Sequence, residues 1–166
     1  LRRAVDVPIA ADESIRLSAD PLAVARSDAA DVAVLKVAPL GGARRAFALA
    51  ERLAMPVVVS SALDTSVGMS AGVALAAALP GPAGACGLGT VSLLERDVAA
   101  PSLVPGGGTL AVRPVHVSRR LLAAAVADDE LTARWQVRLG HILNALRTRR
   151  ERERDDPSSA VAGLPL

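Results

Sequence analysis

The sequence predicts an α/β protein assembled from consecutive strand–helix units around a parallel sheet. Two patterns in the first ninety residues carry that expectation. Short apolar runs alternate with longer alanine-rich stretches, and polar residues fall in phase where the strands end: Asp12, Lys36 and Ser60 follow one another at intervals of 24 residues. One strand, one loop and one helix take about 24 residues, so successive strand ends carry a carboxylate, an ammonium and a hydroxyl. In a βα array all strand C-termini lie on one face, the face that carries active sites in barrels of this type.

The elements follow in order. "VDVPIAA" (5–11) reads as a strand closed by "DES". "DPLAVARSDAA" reads as a helix, with Asp20 as N-cap and Pro21 at the first helical position. "VAVLKV" (32–37) is a continuous apolar run, the pattern of a strand buried on both faces. "GGARRAFALAERLA" (41–54) places Ala46, Leu49, Ala50 and Leu53 at core spacing on a helix. "PVVVSSAL" (56–63) is another buried strand, and "TSVGMSAGVALAAAL" (65–79) a helix capped by Thr65 or Ser66. "GACGLG" (84–89) is a fourth, weaker strand. Three βα units plus a strand make about half of an eight-stranded barrel, which takes roughly 250 residues. The chain begins at Leu1 rather than Met, and the expectation is that something N-terminal to it is missing.

Beyond residue 97 the pattern changes. "APSLVPGGGTLAVRPVHV" (100–117) is a Pro/Gly-rich loop with a short strand. Ser118 can cap "RRLLAAAVA", and Asp128 can cap a last helix whose apolar stripe is Leu131, Trp135, Leu139, Ile142 and Leu146. The expected division is a partial barrel domain over 1–115, a helical segment over 116–147 and a disordered tail over 148–166.

Composition bounds the function. With 51% hydrophobic and 1% aromatic residues, Ala, Val and Leu must fill the core. A formal net charge of +2 argues neither for nucleic acid nor for a membrane surface. One cysteine, Cys86, excludes an internal disulfide, and a reducing cytoplasm is the plain expectation. No apolar run approaches the roughly 18 residues of a spanning helix.

Of 19 basic residues, only Lys36 is lysine. Its bland reading is a partly buried side chain that snorkels to solvent. Its chemical reading is that arginine cannot lose its proton, whereas a desolvated lysine can supply a mobile proton or a compact point charge. Asp12 and Glu13 form either a solvent-facing turn or part of a Mg²⁺ site; Mg²⁺ takes one or two carboxylates plus waters or substrate oxygens. Ser60 and Ser61 precede a helix N-terminus, where hydroxyls and free N–H groups suit a substrate carboxylate. His116 lies in the Pro/Gly loop and His141 on the last helix, which argues against a Ser-His-Asp hydrolase. "GLGT" (87–90) lacks the third glycine of a dinucleotide fingerprint, because Ser92 stands there. "RTRRERER" mixes both signs without aromatic residues and reads as a solvated helix end.

"AADES", "VLKVAPLGG" and "VVVSSALDTSVG", in this order and spacing, resemble the o-succinylbenzoate synthases of the enolase superfamily, most of all the actinobacterial form. The resemblance covers residues 1 to about 115. It implies the C-terminal part of a (β/α)₇β barrel followed by helices, and an Mg²⁺-dependent (or other divalent-cation-dependent) hydro-lyase of menaquinone synthesis. By motif, Asp12 is similar to the family's fifth-strand metal ligand, with Glu13 beside it. Lys36 matches the sixth-strand lysine that stabilises the anionic intermediate, and Ser60, with Ser61, a seventh-strand serine near the substrate's succinyl end. The family's other two metal carboxylates and its K-x-K base lie on earlier strands that have no counterpart in this sequence. The implied partners are a small carboxylate substrate and the missing N-terminal half or a homo-oligomer. Two other readings stand beside it: an N-succinylamino acid racemase or dipeptide epimerase of the same superfamily, and a non-catalytic half-barrel scaffold. Periodicity alone also leaves room for an unrelated open α/β sheet.

Overall fold

The computed structural model describes residues 1–81 and 84–155, apart from the Glu153 side chain. The chain divides into two compact units, Leu1–Ala124 and Ala125–Leu166. The first therefore takes in the Pro/Gly loop and a further helix beyond residue 115.

In the first unit a short 3₁₀ turn (Arg2–Ala4) precedes β1 (Ala10–Ala11), α1 (Glu13–Arg16) and α2 (Ala23–Arg26). β2 (Val32–Leu35), α3 (Ala43–Leu53), β3 (Val57–Val59) and α4 (Ser66–Ala78) follow. A 3₁₀ turn at Thr90–Leu93 and α5 (Arg119–Ala123) complete it. The strands form a parallel sheet in the order β1-β2-β3, with Ala10 opposite Val32 and Leu35 opposite Val59. The expected fourth strand is reduced to one parallel bridge, Ser60 to Gly87, which carries the ladder one step further.

Strand alternation sorts the sheet into two faces. Ala33, Leu35, Val57 and Val59 are buried, where α3 packs on β2 and α4 on β3. Val32, Val34, Lys36, Val58 and Ser60 lie on the other face and are only half-buried. The expectation of a strand buried on both faces is thus corrected. β2 is covered by helices on one side, and its even residues lack that cover.

α3 buries Ala46, Leu49, Ala50 and Leu53, the stripe that its periodicity predicts. Gly72 of α4 leaves room for the Leu88 side chain; a Cβ there would sit 2.8 Å from Leu88 Cδ2. The start of α4 differs from expectation. Thr65 occupies the N-cap position, yet neither its side chain nor that of Ser66 caps the helix. Asp97, distant in sequence, does so instead: Oδ1 accepts the Ser66 N–H at 3.1 Å and the Val98 N–H at 2.8 Å, and Oδ2 accepts the Ser66 hydroxyl. The fully buried Ser66 Oγ in turn accepts the Leu103 N–H at 2.6 Å.

Asp20 is displaced from its expected role in a similar way. α2 begins only at Ala23, and Asp20 accepts the Leu22 N–H at 3.2 Å and pairs with Arg26. Ser118 does cap α5, accepting the Leu121 N–H.

The second unit is dominated by α6 (Asp129–Asp155), with Asp128 Oδ1 accepting the Leu131 N–H at 2.8 Å. The helix continues past residue 147 to Asp155, where the tail was expected, and the remainder of that tail lies outside the described residues. No described helix is long and apolar enough to cross a membrane.

Two outcomes follow from the packing. Leu35→Ala, at a fully buried position, costs about 2–5 kcal/mol in urea unfolding, whereas Val34→Ala, on the half-buried face, costs distinctly less. Equal costs would show that both faces are covered in solution. Asp97 gives a pH test. Burial pushes its carboxyl up, but hydrogen bonds from Ser66, Ser102 and the Val98 N–H outweigh burial and hold it below the usual carboxylate range. A lowered folded-state value stabilises above the unfolded-state pKa and is lost as pH falls through the folded one. Asp97→Asn therefore lowers the melting temperature at neutral pH and reduces its acid dependence below about pH 4.

Candidate active site at the strand ends

Asp12, Lys36 and Ser60 each follow directly on the last residue of β1, β2 and β3. The parallel register sets Lys36 and Ser60 at one level of the sheet, and the Ser60 N–H donates to Leu35 O at 2.9 Å. Lys36 Nζ donates to Asp12 Oδ2 at 2.5 Å, so the structure brings together two groups 24 residues apart. Both side chains are largely shielded, at 17% and 24% exposure. A pair so placed is held more firmly than a surface ion pair, because water competes less for either partner.

Arg16 is the member of this cluster that the sequence reading passed over. One turn of α1 returns it over the strand end, where Nε donates to Asp12 Oδ1 at 3.1 Å. Its Nη2 donates to Glu13 Oε1 at 2.7 Å, and that hydrogen bond is the main reason the Glu13 carboxyl lies below its usual range. The signal was present as an i,i+4 Asp–Arg pair. It lay in a segment read as the close of a strand rather than as a helical turn. Glu13, 64% exposed, turns outward to Arg16 rather than toward Lys36.

Ser60 and Ser61 part company, as consecutive residues on an extended chain must. Ser60 shares the half-buried face with Lys36; its Oγ lies 3.4 Å from the Ser61 and Gly87 carbonyl oxygens. Ser61 is buried on the other side in a closed hydrogen-bond chain. The Asp64 N–H donates to Thr90 Oγ1 (3.0 Å), Thr90 to Ser61 Oγ (2.9 Å), and Ser61 to Gly87 O (3.0 Å). Gly87 and Thr90 thereby acquire a role. A Cβ at residue 87 would come within 2.9 Å of Ser60 Oγ, so glycine leaves the serine its space. "GLGT" braces this strand end.

The donor set does not by itself fit Mg²⁺. Both Asp12 oxygens already accept hydrogen bonds from cationic side chains, and Glu13 is engaged elsewhere. Among the described residues no three His, Cys, Asp or Glu side chains gather to hold a metal.

The Asp12–Lys36 pair has a measurable worth. A double-mutant cycle with Asp12→Asn and Lys36→Met returns a coupling at or above the upper end of the ~0.2–1 kcal/mol of exposed pairs. Additive losses in urea unfolding would show that the contact contributes nothing.

The profile of the enolase C-terminal domain-like family matches residues 1–115. An o-succinylbenzoate synthase of Thermobifida fusca is 58% identical over 139 residues, which is 84% of this chain and 43% of that protein. One of Mycobacterium bovis (strain BCG / Pasteur 1173P2) is 64% identical over 135 residues, 81% of this chain and 41% of the relative. The chain thus spans less than half the length of these curated relatives. Among solved structures, the muconate lactonizing enzyme of Pseudomonas fluorescens in complex with muconolactone superposes with a TM-score of 0.65 at 28% identity. That match covers 74% of this chain and 35% of the enzyme. A parallel sheet with helices on one face and polar groups at its strand ends agrees with these likenesses, and the chain belongs to the enolase C-terminal domain-like family.

Proposed function

We propose that the chain is the C-terminal barrel portion of an o-succinylbenzoate synthase, acting with a half that supplies the remaining strands. Such an enzyme dehydrates 2-succinyl-6-hydroxy-2,4-cyclohexadiene-1-carboxylate: a proton leaves the carbon bearing the carboxylate, the ring hydroxyl departs as water, and the ring becomes aromatic. The observation that carries the reading is the shielded Lys36 beside Asp12 at adjacent parallel strand ends, in a chain 58% and 64% identical to proteins of that name.

Lys36 is the proposed catalytic residue. An ammonium has three N–H donors, so the one given to Asp12 leaves two for an oxygen of the substrate. A fixed cation in a shielded site stabilises charge that develops in the transition state more than it stabilises the ground state. Asp12 holds the ammonium in place, and Arg16 steadies Asp12 from the other side. Ser60, level with Lys36 and facing the same way, is the proposed contact for the substrate's succinyl end, with Ser61 anchoring its backbone through the Gly87–Thr90 chain. Asp12 and Glu13 are the proposed carboxylates toward a divalent cation. Glu13 and Asp12 are both tied to the Arg16 guanidinium in this arrangement, so such a site needs ligands from the other half.

The test joins this chain to the complementary N-terminal part of the Thermobifida fusca synthase and follows formation of the aromatic product. Lys36→Ala is expected to lower kcat by roughly 10²-fold or more, as loss of a positioned charge-stabilising donor does. Lys36→Arg does not restore it, because a planar guanidinium cannot replace a compact ammonium. Undiminished turnover in Lys36→Ala removes the lysine from the mechanism. Turnover of an N-succinylamino acid in preference to the cyclohexadiene assigns the pair to racemisation instead.

A further inference from the structure

We infer that α6 is a self-association element that pairs antiparallel with α6 of a second copy of this chain. Trp135, Leu139, Ile142 and Leu146 recur at intervals of four, three and four residues, the seam of a two-helix coiled coil. All four are exposed, at 57%, 55%, 47% and 50%. An apolar seam of this kind is a surface that a partner helix covers.

Charge identifies the partner and its direction. The helix is acidic where it begins, at Asp128, Asp129 and Glu130, and arginine-rich where it ends, at Arg147, Arg150, Arg152 and Arg154. A second copy laid antiparallel, centred between Gly140 and His141, sets Leu139 against Ile142 and Trp135 against Leu146. The same register brings Asp129 beside Arg150 along the edge of the seam; these residues are 21 apart, three heptads, and so share one flank of the helix. Apolar and charged residues thus select a single register independently. A parallel pair would set acid against acid and arginine against arginine. Arg138 lies across from Ala145 in this register, with its guanidinium drawn over the Trp135 ring of its own helix, 5.1 Å from the centroid. An anionic membrane or nucleic acid fits less well, because Glu151 interrupts the basic end and the first turn is acidic.

Sedimentation of the full chain over a concentration series tests the pairing. A monomer–dimer equilibrium is expected, weakening as salt rises. Leu139→Asp abolishes it. Asp129→Arg and Arg150→Asp each weaken it about tenfold, as a reversed charge in a close pair does, and the two combined in one chain restore it. Circular dichroism on each variant separates loss of pairing from loss of helix. In a Cys86→Ala background, Gln136→Cys should form a disulfide with Leu143→Cys on mixing but not with itself. A monomer at every concentration, charge reversals without effect, self-linking of Gln136→Cys alone, or a monomeric chain that binds anionic vesicles would each overturn the proposal.

Discussion

Parallel pairing of β2 with β3, in a register that places Leu35 opposite Val59, is the constraint on which the rest of the first unit depends. Once those residues are matched, alternation commits Ala33, Leu35, Val57 and Val59 to the helices and Val34, Lys36, Val58 and Ser60 to the opposite face. A slip of one residue would bury the lysine under α3 and expose the leucine. The cost of burying an unpaired ammonium makes that alternative untenable. The core and the chemical edge are therefore two consequences of one register.

Polar groups at the strand ends are satisfied in two ways, and the difference separates chemistry from scaffolding. Asp97 and Ser66 exchange hydrogen bonds with backbone groups and one another, as do Ser61 and Thr90, in arrangements that leave little for a ligand. Lys36 and Ser60 are different: the ammonium keeps donors in hand, and the hydroxyl has only long contacts. The scaffold hydrogen bonds hold the corners from which these two side chains project. Rigid support of this kind is what a site needs to hold its geometry.

Much of this was legible in the residues, and the reasons can be named. α3 was readable because Ala46, Leu49, Ala50 and Leu53 repeat at helical spacing and all four are buried. The strand ends were readable because a βα unit has a nearly constant length. Arg16 was overlooked because a single helical turn has no periodicity to detect, and the cap of α4 because its acceptor, Asp97, lies 31 residues away. Glu13 read as Asp12's partner by adjacency. Neighbouring residues at the start of a helix point in different directions, and Arg16 draws the glutamate outward.

The sequence by itself determined the type of each long element, the phase of the polar strand ends and the single lysine among arginines. These are local properties, set by side-chain spacing and strand–helix length. Only the tertiary structure decided that Lys36 meets Asp12, that Ser60 faces the site while Ser61 braces it, and that Gly87 leaves room for the Ser60 hydroxyl. Each of those depends on which residues lie opposite one another across the sheet. Hydrogen-bonded register sets that, and register is a relation between distant segments that no local pattern contains.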